Sequence, residues 1–292
     1  MSMWLINTAP VFAVAFAPDG NQADAGTVTV TVTRADGSVL AADAGTTKEG
    51  SGATTIYKWA LPVAENSRVD VLTLEWTRTD TSETLTTTEE LVGALLFTET
   101  QARGFDDQKL ASTSDSDLVA ARDRITDLFE DYCGQSFIPR YARVVFAGPS
   151  HRDPYRLPLT LGTRRVGGPG WPRNLRSIIN ADDDGSTVTD LVVDDLGVSR
   201  QDGTWRTPST STRFPQTLDY EYGLSPPRDI RHAALILARY DLVQRDITDR
   251  MISYDDGNLG SVRLSTPGPN RPTGIPIVDE TLNRYRIQVP VA

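Results

Sequence analysis

Two periodicities divide the chain. Up to residue 98, apolar and polar positions alternate: Val28, Val30 and Val32 fall on one side, and Thr27, Thr29, Thr31 and Thr33 on the other. Tyr57, Trp59 and Leu61 repeat the alternation, as do Leu72, Leu74 and Trp76. A period of two predicts half-buried strands, and the turn signals Pro18-Asp-Gly-Asn21 and Ala35-Asp-Gly-Ser38 separate the runs. Short strands with regular turns over roughly 90 residues predict a small β-sandwich of immunoglobulin-like dimensions. A last strand around Leu85 to Leu96 leads into a polar linker, residues 99–113.

At Ser114 the period changes to that of a helix. Ser114 or Ser116 can cap it, with Asp115 and Asp117 in the positive first turn. Leu118, Ala121, Ile125, Leu128 and Tyr132 form one face, and Asp123, Arg124, Asp127, Glu130 and Asp131 the other, up to a stop at Gly134. A second helix is expected over about 226–250, opening at Ser225-Pro226-Pro227 and carrying Ile230, Ala233, Ala234, Leu237 and Tyr240. Leu235, Ile236 and Val243 widen its stripe beyond what one neighbour covers, which makes them candidates for packing between subunits. Between the helices, residues 137–223 read as strands: Tyr141 to Phe146, Leu175 to Ile179, Val188 to Val193 and Leu218 to Tyr222. The tail, 256–292, is rich in proline and reads as extended, with one short helix from Val278 to Arg286. The fold class is α+β and multidomain: a sandwich over 1–98, a linker over 99–113, and a helical domain with a β insertion over 114–292.

Composition narrows the chemistry. The 292 residues carry 29 Lys+Arg against 39 Asp+Glu, a net charge of −10. Seven of those ten negative charges lie in residues 1–98. A protein that grips duplex DNA displaces counterions with a basic surface, and this chain has none overall. One cysteine excludes an internal disulfide framework and a Cys-rich zinc site, so Trp59 or Trp76 must plug the sandwich core unaided. Arginine outnumbers lysine 26 to three, which suits planar contacts in protein interfaces. No run reaches the length of a membrane span; Val11 to Ala17 imitates a signal-peptide core but lacks a preceding basic residue and reads as a buried strand.

Catalytic and metal motifs are weak or absent. Asn180-x-Asp182-x-Asp184-Gly185 begins like a calcium loop, but Leu191 stands where the bidentate Glu belongs, and a hairpin turn is the better reading. The glycines from Gly162 to Gly170 lack a following Gly-Lys-Ser/Thr. Cys133 ends a helix, where the dipole disfavours a thiolate, and neither His151 nor His232 is near it in sequence. No catalytic residue, metal site or cofactor is assigned.

Three segments carry a resemblance. Ala120 to Arg140 runs as an amphipathic helix, a Tyr132-Cys-Gly134 stop and Phe137-Ile-Pro-Arg140. Leu218-Asp-Tyr-Glu-Tyr-Gly-Leu224 is followed by Pro226-Pro-Arg-Asp229 and His232 to Arg239. A Ser-x-Arg-Leu stretch and an Ile-Pro-x-Val-Asp-x-x-Leu close complete the tail. In this order and spacing, over roughly residues 112–290, they resemble the head-to-tail adaptor (connector) proteins of long-tailed bacteriophages. The sandwich is similar to immunoglobulin-like domains fused to phage structural proteins.

The resemblance implies a non-enzymatic neck protein of the virion, made in the host cytoplasm. It implies a homo-oligomeric ring, usually of twelve subunits, between the portal protein and the stopper or tail completion protein, through which double-stranded DNA passes, with no membrane involved. Ile275 to Arg286 is expected to reach the portal, with Ile275, Ile277, Val278 and Leu282 as apolar anchors and Arg284 and Arg286 at the rim. Acidic walls would repel phosphate in the channel, and the Asp182–Asp184 turn is one candidate lining. The alternative is a virion-surface or glycan-binding protein acting through the sandwich, with its Thr faces and aromatic strands.

Overall fold

The computed structural model describes residues 2–16, 27–51, 55–146, 156–158, 174–183, 186–194, 197–201, 205, 216–243, 253–256, 260–263, 268 and 270–287. The Pro18–Asn21 turn, the Gly162–Gly170 loop and His151 lie outside these. The fold is mixed α+β and mostly sheet. Packing gathers the chain into two units, each built from pieces distant in sequence: Met3–Gly93 with Pro139–Gly223, and Ala94–Ile138 with Leu224–Ala292. The β region between the long helices therefore packs with the N-terminal strands, a grouping that a division at residues 98 and 114 does not follow.

Among its described residues, the N-terminal part of the first unit has eight strands: β1 (Ser2–Leu5), β2 (Val11–Val14), β3 (Val28–Arg34), β4 (Val39–Gly45), β5 (Thr47–Glu49), β6 (Ile56–Ala60), β7 (Asp70–Arg78) and β8 (Thr84–Val92). They form a five-stranded sheet, β1-β8-β7-β3-β4, and a three-stranded sheet, β2-β6-β5. The alternation seen in sequence sets the facing. Val28, Val30, Val32, Leu72, Leu74 and Trp76 from the larger sheet meet Phe12, Val14 and Tyr57 from the smaller one in a single core. Trp76 is the fully buried plug, while Trp59 is half-buried and stacks on Phe12. Val11 and Ala13 point outward, so β2 alternates instead of being buried on both faces.

The described residues of this unit hold seven further strands: β9 (Arg140–Phe146), β10 (Arg156–Pro158), β11 (Leu175–Asp183), β12 (Ser186–Thr187), β13 (Leu191–Asp194), β14 (Gly197–Arg200) and β15 (Gln216–Tyr222). They form sheets β12-β11-β15-β9 and β10-β14-β13 around Ala142, Ala181, Val198, Trp205, Leu218 and Tyr220. Asn180 and Asp182 lie on extended β11, and Asp183 pairs with Ser186 across a hairpin, so no calcium loop forms there. β9 ties this part to the N-terminal strands. Arg140 meets Glu90 at 2.5 Å with both side chains buried, and the Arg143 guanidinium donates to the Ala35 carbonyl at 3.1 Å. The Gly93 amide donates to the Pro139 carbonyl at 2.9 Å. A side chain at Gly93 would put its Cβ 2.7 Å from that of Pro139, so the close approach of the two backbones requires glycine.

The second unit contains α1 (Glu99–Gly104), α2 (Asp115–Cys133), α3 (Arg228–Val243), the hairpin β16 (Ser253–Asp256) and β17 (Gly260–Arg263), and α4 (Pro276–Tyr285). Residues 244–250 of the expected second helix lie outside the described residues. The Ser114 side chain caps α2 by accepting from the Asp117 amide, and Gly134 ends it in the left-handed conformation at φ 69°. The expected linker is structured. Thr98 and Gln101 make a reciprocal capping box at the start of α1, and Ala102 and Leu110 are buried.

The inward face of α2 is rotated from the predicted one. Leu118, Ala121 and Ile125 are buried as expected, but Phe129 and Cys133 replace Leu128 and Tyr132. Asp123, assigned to the polar face, is buried beside Arg122, which α1 covers through a 3.0 Å bond from Arg122 to Glu99.

Candidate docking site on the helical unit

The tail's helix is built into the unit rather than held free. Pro276 occupies the first turn of α4, where its missing N–H costs nothing. Val278 and Leu282 lie on the inner face and are fully buried. Of the apolar anchors expected on this helix, these two pack inside α4's own unit. Asp279 pins the approach: its Oδ1 accepts from the Thr273 amide at 3.0 Å and the Thr273 hydroxyl at 2.8 Å. The Thr273 hydroxyl in turn accepts from the Ile275 amide.

The end of α2 and the start of α3 hold α4 by its C-terminal half. The Cys133 thiol lies 3.4 Å from the Leu282 carbonyl, the Gln135 side-chain Nε2 donates to the Tyr285 carbonyl at 2.7 Å, and the Ile287 backbone amide donates back to the Cys133 carbonyl at 3.0 Å. The Tyr132 hydroxyl donates to Asn283 Oδ1 at 2.5 Å. The Tyr285 hydroxyl reaches both carboxylate oxygens of Asp229, at 2.9 and 3.0 Å, and its ring meets Phe137 edge-on. Burial, then the bond to Asp229 and its charge, push the Tyr285 hydroxyl above its ordinary pKa. Burial raises the Cys133 thiol to about 12, only partly offset by Arg286, so it is an inert neutral group in this packing.

The exposed side of α4 presents Ile277, Glu280, Asn283 and Arg284, with Ile277 55% accessible. Glu280 and Arg284 pair at 2.8 Å, one turn apart. Ile275 is half-buried at the helix start. Arg286 is exposed but engaged, its guanidinium 4.8 Å from the Tyr132 ring centre and bonded to Asn270 at 2.9 Å. On α3, Leu235 and Ile236 are half-buried and Val243 is 44% accessible. Ile277 and Arg284 thus share one outward face, and Leu235, Ile236 and Val243 another.

Sequence reasoning missed the role of the segment after α1. Phe105 sits edge-on to His232, and Asp106 pairs with Arg239 and with Lys109. Those two bonds hold the Asp106 carboxyl below its usual range. Asp106, Asp107 and Gln108 all have positive φ, which no local pattern announces.

Other expected sites fare unevenly. Asp183 is buried against Arg200 and Gln216, so it cannot line a channel; Asp182 is half-buried, and Asp184 lies outside the described residues. Phe12, Tyr57 and Trp76 turn into the sandwich core, away from any surface where they would stack on sugar rings. Among the described residues no group of three or more metal-ligating side chains occurs, and no helix is long and apolar enough to cross a membrane.

No protein-family model matches the chain, and no curated protein does either. Among solved structures, it is similar to a chain of the neck of an empty GTA (gene transfer agent) particle, computed with C6 symmetry. The two are 17% identical, the match covers 65% of this chain and 85% of that one, and the TM-score is 0.36.

Proposed function

We propose that this chain is a structural subunit of the neck of a tailed phage-like particle. Copies of it form a ring that joins the portal protein to the stopper or tail completion protein and lets double-stranded DNA pass. The observation that supports this reading is the meeting, in one unit, of residues 120–138, α3 and α4. The Tyr132-Cys-Gly134 stop of α2 is the seat of α4, through Cys133, Gln135 and Tyr132. These are the segments on which the resemblance to head-to-tail adaptors rests. The outward residues Ile277 and Arg284 are then the part of the tail that meets the portal, with Ile275 and Arg286 beside them, and Val278 and Leu282 hold that surface in place. Leu235, Ile236 and Val243 face the neighbouring subunit. The subunit performs no chemistry; its work is association.

The test is to mix purified protein with its portal and image the product by negative stain alongside native mass measurement. A closed ring seated on the portal is the expected result. Persistent monomer with no affinity for portal, under conditions where particles assemble, would overturn the reading. Monomer in the absence of portal would not, since ring subunits can be monomeric alone.

A further inference from the structure

The two long helices each carry charge of the wrong sign at one end. α3 opens on Arg228, with Arg231 in the same first turn, where the amide dipoles already place positive charge. α2 closes on Glu130 and Asp131 with no basic residue in its last turn, where the dipole is negative. Glu130 is committed to the Ser136 hydroxyl and the Phe137 amide, and Asp229, the acidic residue in the first turn of α3, to Tyr285. Arg228, Arg231 and Asp131 are exposed, and among the described residues none of the three side chains makes a hydrogen bond or ion pair within the chain. Charges set against a dipole and left unpaired stabilise nothing in the free subunit, and such breaches of local consistency gather at functional surfaces.

Each set lies on an outward ridge of its helix. Arg228, Arg231 and half-buried Leu235 recur at helical spacing, opposite the buried Ile230, Ala233, Ala234 and Leu237. Ala120, Arg124, Asp127 and Asp131 recur in the same way on α2, all exposed, away from the buried Leu118, Ile125 and Phe129. Arg124 is spent on Asp241 at 2.7 Å, so the α2 ridge is acidic and the start of α3 is basic.

We infer that in the assembled ring the basic ridge of α3 on one subunit docks against the acidic ridge of α2 on the next, with Arg228 and Arg231 facing Asp127 and Asp131. This rests on the ring reading and deepens it, since it names the surface that the α3 face meets. The two ridges are different surfaces of one chain, so the contact is heterologous and generates a ring wherever the rotation closes. Complementary charge fixes the register and rejects like-charged pairings. Leu235 and Ala120 give each ridge an apolar position.

The experiment reverses the charges on the full chain. One variant carries Arg228→Glu with Arg231→Glu, a second carries Asp127→Arg with Asp131→Arg, and a third carries all four changes. Each is mixed with portal and imaged by negative stain, with circular dichroism to check the fold. Neither of the first two is expected to form rings alone. An equal mixture of them, and the fourfold variant by itself, are expected to form rings again. The portal is unchanged throughout, so that recovery comes only from contacts between copies. Rings formed by either of the first two variants alone as readily as by the wild type would overturn the docking and leave the ring reading standing. So would absence of rings from the mixture when both chains keep the wild-type spectrum. Failure of the wild-type chain to form rings on portal would overturn both.

Discussion

At the scale of single residues, two positions test the local physics. Asp36 accepts from the Ser38 amide at 2.8 Å and the Ser38 hydroxyl at 2.5 Å, and pairs with Arg68 at 2.8 Å. Burial works against its charge, but the Ser38 bonds and then Arg68 outweigh it and hold the carboxyl at about 2 instead of 3.8. A depressed folded-state value means that the stabilising contribution is present above 3.8 and is lost as pH falls toward 2. Acid melting curves should show that loss in the wild type and less of it in Asp36→Asn; identical pH slopes would contradict the assignment. Gly93→Ala is expected to cost about 1–3 kcal/mol by overpacking against Pro139, read as a lower denaturant midpoint. The Ala35-Asp-Gly-Ser38 turn was legible from residue types alone. The need for glycine at 93 was not, because its neighbour is 46 residues away in sequence.

At the scale of elements, α4 separates two roles that the sequence ran together. Its apolar positions read correctly as a helix, and the helix spans Pro276–Tyr285, close to the expected Val278 to Arg286. What the pattern could not say is which of its apolar residues are spent inside. Leu282→Ala should destabilise the helical unit by about 2–5 kcal/mol, seen as faster hydrogen exchange in the C-terminal turns of α2. Ile277→Ser should change its stability by less than about 0.5 kcal/mol while weakening portal association in a pull-down. Equal effects of the two on stability would count against the inner and outer faces described. By the same logic, truncation after Thr273 removes buried Val278 and Leu282, so it is expected to unsettle the unit as well as any docking. The buried face of α2 is wider than its apolar pattern, because α1, within a stretch that reads as linker, covers Arg122.

At the scale of the whole molecule, the grouping of β9–β15 with the N-terminal strands alters how the chain can be cut. Buried Arg140 and Glu90 belong to segments 50 residues apart, and losing one partner of a buried pair leaves an uncompensated charge worth about 3–5 kcal/mol. Deleting residues 1–93 should therefore expose Arg140 and its strand. Pulse hydrogen exchange is expected to show lost protection in β9 and β15, with α2 and α4 retaining theirs. Full protection of β9 in the deletion would show that the β insertion stands alone. Because the two units need not melt together, a single melting temperature is a poor measure here, and exchange resolved by segment is the better one.

The sequence by itself determined the kinds of most elements and the facing of the central N-terminal strands. Alternation fixed which side of β3 and β7 is buried, Ser114 and Gly134 bounded α2, and Pro276 opened α4. These follow from local sterics and the period of each backbone form, which a short window of residues specifies. Only the tertiary structure decided that Val278, Leu282 and Asp183 are interior, that Arg122 and Asp123 lie beneath α1, and that the β insertion packs with the first strands. Each depends on a partner far away along the chain. Burial of one side chain is a property of what lies opposite it, and no pattern within its own segment records that.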